Sequence, residues 1–177
     1  MYKRHKGVAV VIQNNKREVL LLQRGAAART EVGRWENPGG EIEEGEDPVD
    51  AAIREVREEL GVEVEIMRLL YSDEFPPDSN DVIWTAGLFE GRIQGQPEIK
   101  EPRKCSALGW FSRYQLSTIP LASFTRSDFS RLGWLKDQSE DNTISANSLT
   151  AVVKSHFRHL IQKSITDPPP HPAKQCQ

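Results

Sequence analysis

The stretch WENPGGEIEEGEDPVDAAIREVREELGV, residues 35–62, decides the reading of the whole chain. Its first thirteen residues hold two adjacent glycines, Gly39 and Gly40, together with six acidic side chains. A tight, glycine-hinged turn therefore stands directly ahead of dense negative charge. The second half reads as a helix. Asp47 supplies the cap, Pro48 lies in the first turn where its missing N–H does no harm, and Gly61 supplies a left-handed stop. Between them Val49, Ile53, Val56 and Leu60 recur at helical spacing and make one apolar stripe.

At about 100° per residue, Glu55, Glu58 and Glu59 fall within an arc of roughly 100°, away from that stripe. Like charges three and four residues apart cost about a few tenths of a kcal/mol per pair. The arrangement is better explained by a cation beside it, since carboxylate oxygens are the ligands that Mg²⁺ and Mn²⁺ prefer. Taken alone, the helix reads equally as a solvated acidic face, partly neutralised by Arg54 and Arg57. The glycine turn adds the second half of the signal.

Working outward, GVAVVIQ (7–13) and EVLLLQR (18–24) are apolar runs separated by NNKR, the pattern of a hairpin with both strands largely buried. Residues 25–39 read as loop with a short strand near Trp35. Strands are expected at Val62–Tyr71 and Val82–Glu90, on either side of the loop SDEFPPDSND, and near Ala107–Phe111. SFTRSDFSRLGWLKD (123–137) reads as a second substantial helix. From about Gln138 the chain turns polar, and then Leu149, Val152, Val153, Phe157, Leu160 and Ile161 follow helical spacing within 147–164, ahead of the proline-rich end. His156 and His159 share a face of that helix but lack a cysteine or carboxylate partner nearby, so they read as solvated.

The composition limits the function classes. With 37% hydrophobic and 28% charged residues over 177 positions, the chain fits one soluble domain with a sizeable core. A formal net charge of −3 leaves no basic footprint for a nucleic-acid polymer or a membrane. A polyanionic substrate then needs a bridging cation or a local arginine. The early apolar run is too short for a signal h-region or a membrane span. Two cysteines, Cys105 and Cys176, are too few for a disulfide framework and make a reducing, cytoplasmic setting the expectation.

The spacing Gly40, five residues, Glu46, seven residues, Arg54-Glu55-Val56, one residue, Glu58-Glu59, one residue, Gly61-Val62 resembles the Nudix box without a mismatch. Chance agreement at these positions is on the order of 10⁻⁹ per window. The resemblance implies an α+β chain, an α/β/α sandwich around a mixed central sheet over residues 1–138, with 139–177 a linker, an extra C-terminal helix and a tail that the family does not explain. It also implies a hydrolase of nucleoside diphosphates linked to another group, dependent on Mg²⁺ or Mn²⁺. In family terms Glu55, Glu58 and Glu59 hold the metal, with the Gly40 carbonyl as a further ligand, and Gly39, Glu46 and Arg54 support the site. Glu41, Glu43 and Glu44 fall at variable positions and read as solvated loop residues.

The general base stays open between Glu58 on the helix and a glutamate on the later segment PEIKEPRKCSALGW, where Glu98 and Glu101 are available. The EPRKC…W pattern resembles the segment of MutT-like nucleotide hydrolases that carries such a glutamate, which favours Glu101. Asn37 departs from the family, which commonly has an apolar residue before Pro-Gly-Gly. The expected substrate is a nucleoside triphosphate, cleaved to the monophosphate and pyrophosphate. ADP-ribose is the alternative, because Pro76 and Pro77 lie fourteen and fifteen residues after Val62, near where ADP-ribose hydrolases have a proline. A nucleotide-sensing module without catalysis, and isoprenoid- or sugar-linked diphosphates, stay open, as does a homodimer. Trp84, Phe89 and Phe75 are candidates to stack on a base, with Trp84 and Phe89 read first as core residues.

Overall fold

A computed structural model describes residues 2–77 and 81–135 of the chain. The elements run β1 (Lys3–Ile12), β2 (Val19–Arg24), β3 (Trp35–Glu36), β4 (Gly39–Glu41), α1 (Pro48–Leu60), β5 (Glu63–Glu74), β6 (Val82–Gln94), β7 (Cys105–Phe111), α2 (Arg113–Leu116) and α3 (Ser123–Arg131). The strands form two sheets. One has the order β4-β1-β6-β5 and the other β3-β2-β7. The first is mixed: β1 runs parallel to β6, with Val8 opposite Gly87, and antiparallel to β4, with Val8 opposite Gly40.

Two apolar clusters flank the strands. Val8, Val10, Ile12, Leu20, Leu22 and Phe89 pack with Ala51, Ala52, Val56 and Leu60 of α1. Val11, Val19, Leu21 and Leu88 pack with Leu116, Leu121 and Phe129 of the later helical region. Successive strand residues thus feed opposite faces, as a pleat requires, and helices cover both sides of the strands. Each fully buried Leu or Phe contributes about 1.5–3 kcal/mol relative to exposure.

The central helix forms as its caps dictate. Asp47 accepts from the Val49 N–H, Pro48 opens the helix, and Gly61 ends it at φ 65° with its N–H bonded to the Arg57 carbonyl. Three other expectations are corrected. The runs 7–13 and 18–24 do not form a hairpin ladder: only Gln13 and Val19 bridge. The tight turn exists, with Asn14 accepting from the Lys16 and Glu18 N–H groups and Arg17 at φ 62°. Beyond it the strands part, because β4 and β6 take the two edges of β1 while β3 and β7 take those of β2. The helix expected over 123–137 stops at Arg131, since Gly133 adopts φ 68° and the Trp134 N–H bonds back to the Phe129 carbonyl. Strand β5 runs on past Tyr71 to Glu74 through two register shifts. The extra C-terminal helix, the tail, His156 and His159 lie outside the described residues.

Candidate active site

The Pro38-Gly39-Gly40 turn is held against α1 and β1. The Pro38 carbonyl accepts from Val10 N–H at 2.8 Å, and the Gly39 N–H donates to Glu59 Oε2 at 3.0 Å. Gly39 takes φ 152°, and a Cβ on it would lie 2.1 Å from the Val8 carbonyl oxygen. A Cβ on Gly40 would lie 2.4–2.5 Å from the Glu55 carboxylate. Only glycine lets the backbone pass this close to the acidic edge of the helix.

Arg54 ties that edge to the loop before it. Its Nε and Nη2 donate to the two oxygens of Glu46 at 2.8 and 2.9 Å, Nη2 also reaches the Glu41 carbonyl at 3.0 Å, and Nη1 donates to Glu55 at 2.7 Å. The bidentate fork holds the Glu46 carboxyl below its ordinary pKa and the guanidinium above its own. Glu46 in turn accepts from the Glu43 N–H at 2.9 Å, which closes the loop on itself.

The three helical carboxylates differ in setting. Glu58 is half-exposed, 3.4 Å from Arg54 Nη1. Burial pushes Glu55 up, opposed by Arg54. Glu59 is raised well above the usual carboxylate range, by burial first and then by the charges of Glu36, Glu55 and Glu101, against the pull of the Gly39 N–H. Several carboxylates therefore repel one another in a poorly solvated space, which favours a cation or a proton there.

The later segment is brought to the same place. The Glu98 and Lys100 N–H groups donate to the Leu60 and Glu59 carbonyls, each at 2.9 Å, and so dock the segment on the end of α1. Glu101 lies within electrostatic reach of Glu59 and pairs with Lys104 at 2.7 Å. Glu98 is exposed and pairs with Lys100 instead. The structure thus separates the two glutamates: Glu101 belongs with the helical carboxylates and Glu98 does not. Among the described residues no three carboxylate, imidazole or thiol side chains converge closely enough to hold a cation as they stand. Arg54, the Gly39 N–H and Lys104 each draw one of them aside. The donor set of carboxylates beside a glycine carbonyl suits a hard divalent ion.

Two features escaped the sequence reading. Glu36 is half-buried, paired with Arg24, and pushed up by burial within reach of Glu59. Its partner is set by the register Leu22 opposite Glu36, a long-range fact that the local sequence does not print. Glu41 ends strand β4 rather than lying in a loop, and its part-exposed side chain pairs with His5, which packs at 5.1 Å on Trp84. Glu43 and Glu44 are exposed as expected. Of the aromatic candidates, Phe89 is fully buried in the core and Phe75 meets Phe124 edge to face at 4.6 Å.

The family profile described as NUDIX domain matches residues 3–132. The 8-oxo-dGTP diphosphatase of Escherichia coli is 36% identical over 92 residues, covering 51% of this chain and 69% of that protein. The 8-oxo-dGDP phosphatase of Danio rerio is 44% identical over 70 residues, 40% of this chain, and the match spans only 21% of that protein's length. Among solved structures, the MutT NUDIX hydrolase of Burkholderia pseudomallei superposes with a TM-score of 0.66 at 30% identity, covering 73% of this chain and 98% of that one. The profile spans nearly the whole described fold, and the box residues meet at one turn and one helix edge: the chain belongs to the Nudix family of hydrolases.

Proposed function

We propose that this enzyme is a metal-dependent pyrophosphohydrolase that cleaves a nucleoside triphosphate to the monophosphate and pyrophosphate. The observation that carries the reading is the glycine turn lying on the acidic edge of α1: Gly40 faces the Glu55 carboxylate, the Gly39 N–H bonds Glu59, and Glu59 is raised by burial first and then by the charges of Glu36, Glu55 and Glu101. Glu55, Glu58, Glu59 and the Gly40 carbonyl would hold Mg²⁺ or Mn²⁺, which when bound neutralises phosphate oxygens and makes a water more acidic. Glu101 is the preferred acceptor of that water's proton and Glu58 the alternative. Arg54 and Glu46 keep the loop and helix in register.

A nucleotide is the favoured substrate because relatives named as 8-oxo-dGTP diphosphatase and, in Escherichia coli, CTP pyrophosphohydrolase match this chain. The oxidised purine triphosphate is therefore the first to try. Among the described residues no helix is long and apolar enough to cross a membrane. Cys105 is a free, buried thiol, which fits the cytoplasmic setting proposed for the enzyme. A homodimer stays a separate proposal, to be read from the mass of the protein in solution.

The test is a product-resolved turnover screen with Mg²⁺ and Mn²⁺ over 8-oxo-dGTP, the normal triphosphates and ADP-ribose, with Glu59→Gln as the blank. Pyrophosphate released from a triphosphate supports the reading. AMP from ADP-ribose replaces it with the alternative, and tight binding without turnover of any compound replaces it with a sensor.

A further inference from the structure

The turn that carries Gly39 and Gly40 is anchored from behind by a buried polar network. The Asn37 N–H donates to Thr125 Oγ1 at 3.0 Å, and the Asn37 side-chain NH₂ donates to Asp128 Oδ2 at 3.0 Å. Tyr71 donates its hydroxyl hydrogen to the other oxygen of Asp128. Asn37 and Asp128 are each 5% exposed. Around them Arg131 lies 4.9 Å over the Tyr71 ring and pairs with Asp73. Asn37 Oδ1 has no hydrogen-bond partner, because the carboxylate on the other side demands the NH₂ end of the amide.

An apolar residue at 37 facing an apolar residue at 128 would fill this space without desolvating a charge. A buried carboxylate satisfied from two elements is costly to make and narrow in the geometries it accepts. That narrowness is what a positioning device needs. We infer that the Asn37–Asp128–Tyr71 network sets the position of the Pro38–Gly40 turn, so that helix α3 and strand β5 fix the Gly39 N–H and the Gly40 backbone against Glu59 and Glu55. The network touches no reacting atom and acts through the turn. Its consequence for the metal rests on the function proposed above, but its effect on the turn does not.

The experiment uses the full chain and three changes: Tyr71→Phe, Asn37→Asp, and the swap Asn37→Asp with Asp128→Asn. The swap keeps one carboxylate and one amide but exchanges their places. The amide, now on α3, accepts from Tyr71 through its oxygen and donates through its nitrogen to the carboxylate now ahead of Pro38. Amide hydrogen exchange is followed at the Gly39 N–H, with Leu21 in the β2 ladder as the internal reference, and Mn²⁺ alone is titrated as the metal probe. In Tyr71→Phe and Asn37→Asp, Gly39 should exchange about 10-fold faster with Leu21 unchanged, and Mn²⁺ should bind about 10-fold more weakly. The swap should return both to within about twofold. Should Asn37→Asp fail to fold, Tyr71→Phe and the swap decide the matter. Unchanged exchange at Gly39 in folded Tyr71→Phe overturns the inference. If the wild-type chain binds no Mn²⁺, the metal reading fails, and the exchange rate at Gly39 still decides whether the network holds the turn.

Discussion

Gly39 and Gly40 are neighbours with opposite sensitivities. A methyl on Gly39 meets the Val8 carbonyl oxygen at 2.1 Å, and backbone cannot step aside without breaking the β1–β4 pairing. With φ 152° in addition, Gly39→Ala should lose about 3 kcal/mol of stability, read from denaturant unfolding. A methyl on Gly40 meets only the end of the Glu55 side chain, which can swing away. Gly40→Ala should therefore unfold within about 1 kcal/mol of wild type and yet lose about 100-fold or more in kcat, because the displaced carboxylate is a proposed ligand. Equal loss of stability in the two variants would contradict this division. Glu59→Gln removes a charge and almost no volume, and it also relieves the repulsion of Glu59 with Glu36, Glu55 and Glu101. Turnover should fall by about 1,000-fold or more while the melting temperature stays or rises. Glu101→Gln should lose less, with a changed pH–rate profile, and an unaltered profile would return Glu101 to the role of a loop residue held by Lys104.

Helix α1 was legible because its information is local: cap, first-turn proline, apolar stripe and glycine stop all lie within residues 47–61. The strands were legible as strands but not as partners. Nothing in 7–24 says that β1 pairs with β4 and β6 rather than with β2, because those edges are chosen by residues 30–80 positions away. The same limit hid Glu36 and the Asn37–Asp128 contact, which joins residues 91 apart. The burial of Asp128 makes α3 sensitive to pH. Burial pushes the Asp128 carboxyl up from 3.8 to about 6, with the hydrogen bonds from Tyr71 and Asn37 and the charge of Arg131 holding it down in part. A buried acid whose folded pKa lies above its unfolded value binds its proton more tightly when folded. Its contribution is complete below about pH 3.8 and is lost as pH rises through about 6. Between pH 4 and 8 this one group should remove about 2 kcal/mol, offset by other carboxylates. Unfolding free energies of wild type and Asp128→Asn, compared across that range, isolate it. The two curves should differ by this slope, and parallel curves would show that Asp128 titrates as in the unfolded chain.

At the scale of the molecule, the two apolar clusters of the described residues lie ahead of the polar stretch that begins near Gln138. Among the described residues, Leu135 is the last buried member of the second cluster. The profile match ends at residue 132, and every proposed ligand and candidate base lies between positions 40 and 101. The sequence places a boundary near residue 138 through its change in composition, but it does not tell which faces of the sheets the helices cover. A chain ending after residue 138 should therefore fold and work. Its melting temperature should lie within about 4 °C of the full chain, less than about 1 kcal/mol, since all cluster members among the described residues are kept. Its kcat/KM on the substrate found in the turnover screen should agree within about twofold. A drop of 10 °C or more would mean that the apolar positions Leu149, Val153, Phe157 and Leu160 pack against this domain. A preserved melting temperature with a tenfold rise in KM would mean instead that the segment reaches the substrate. The two outcomes are separable because the first acts on the folded state as a whole and the second only on binding.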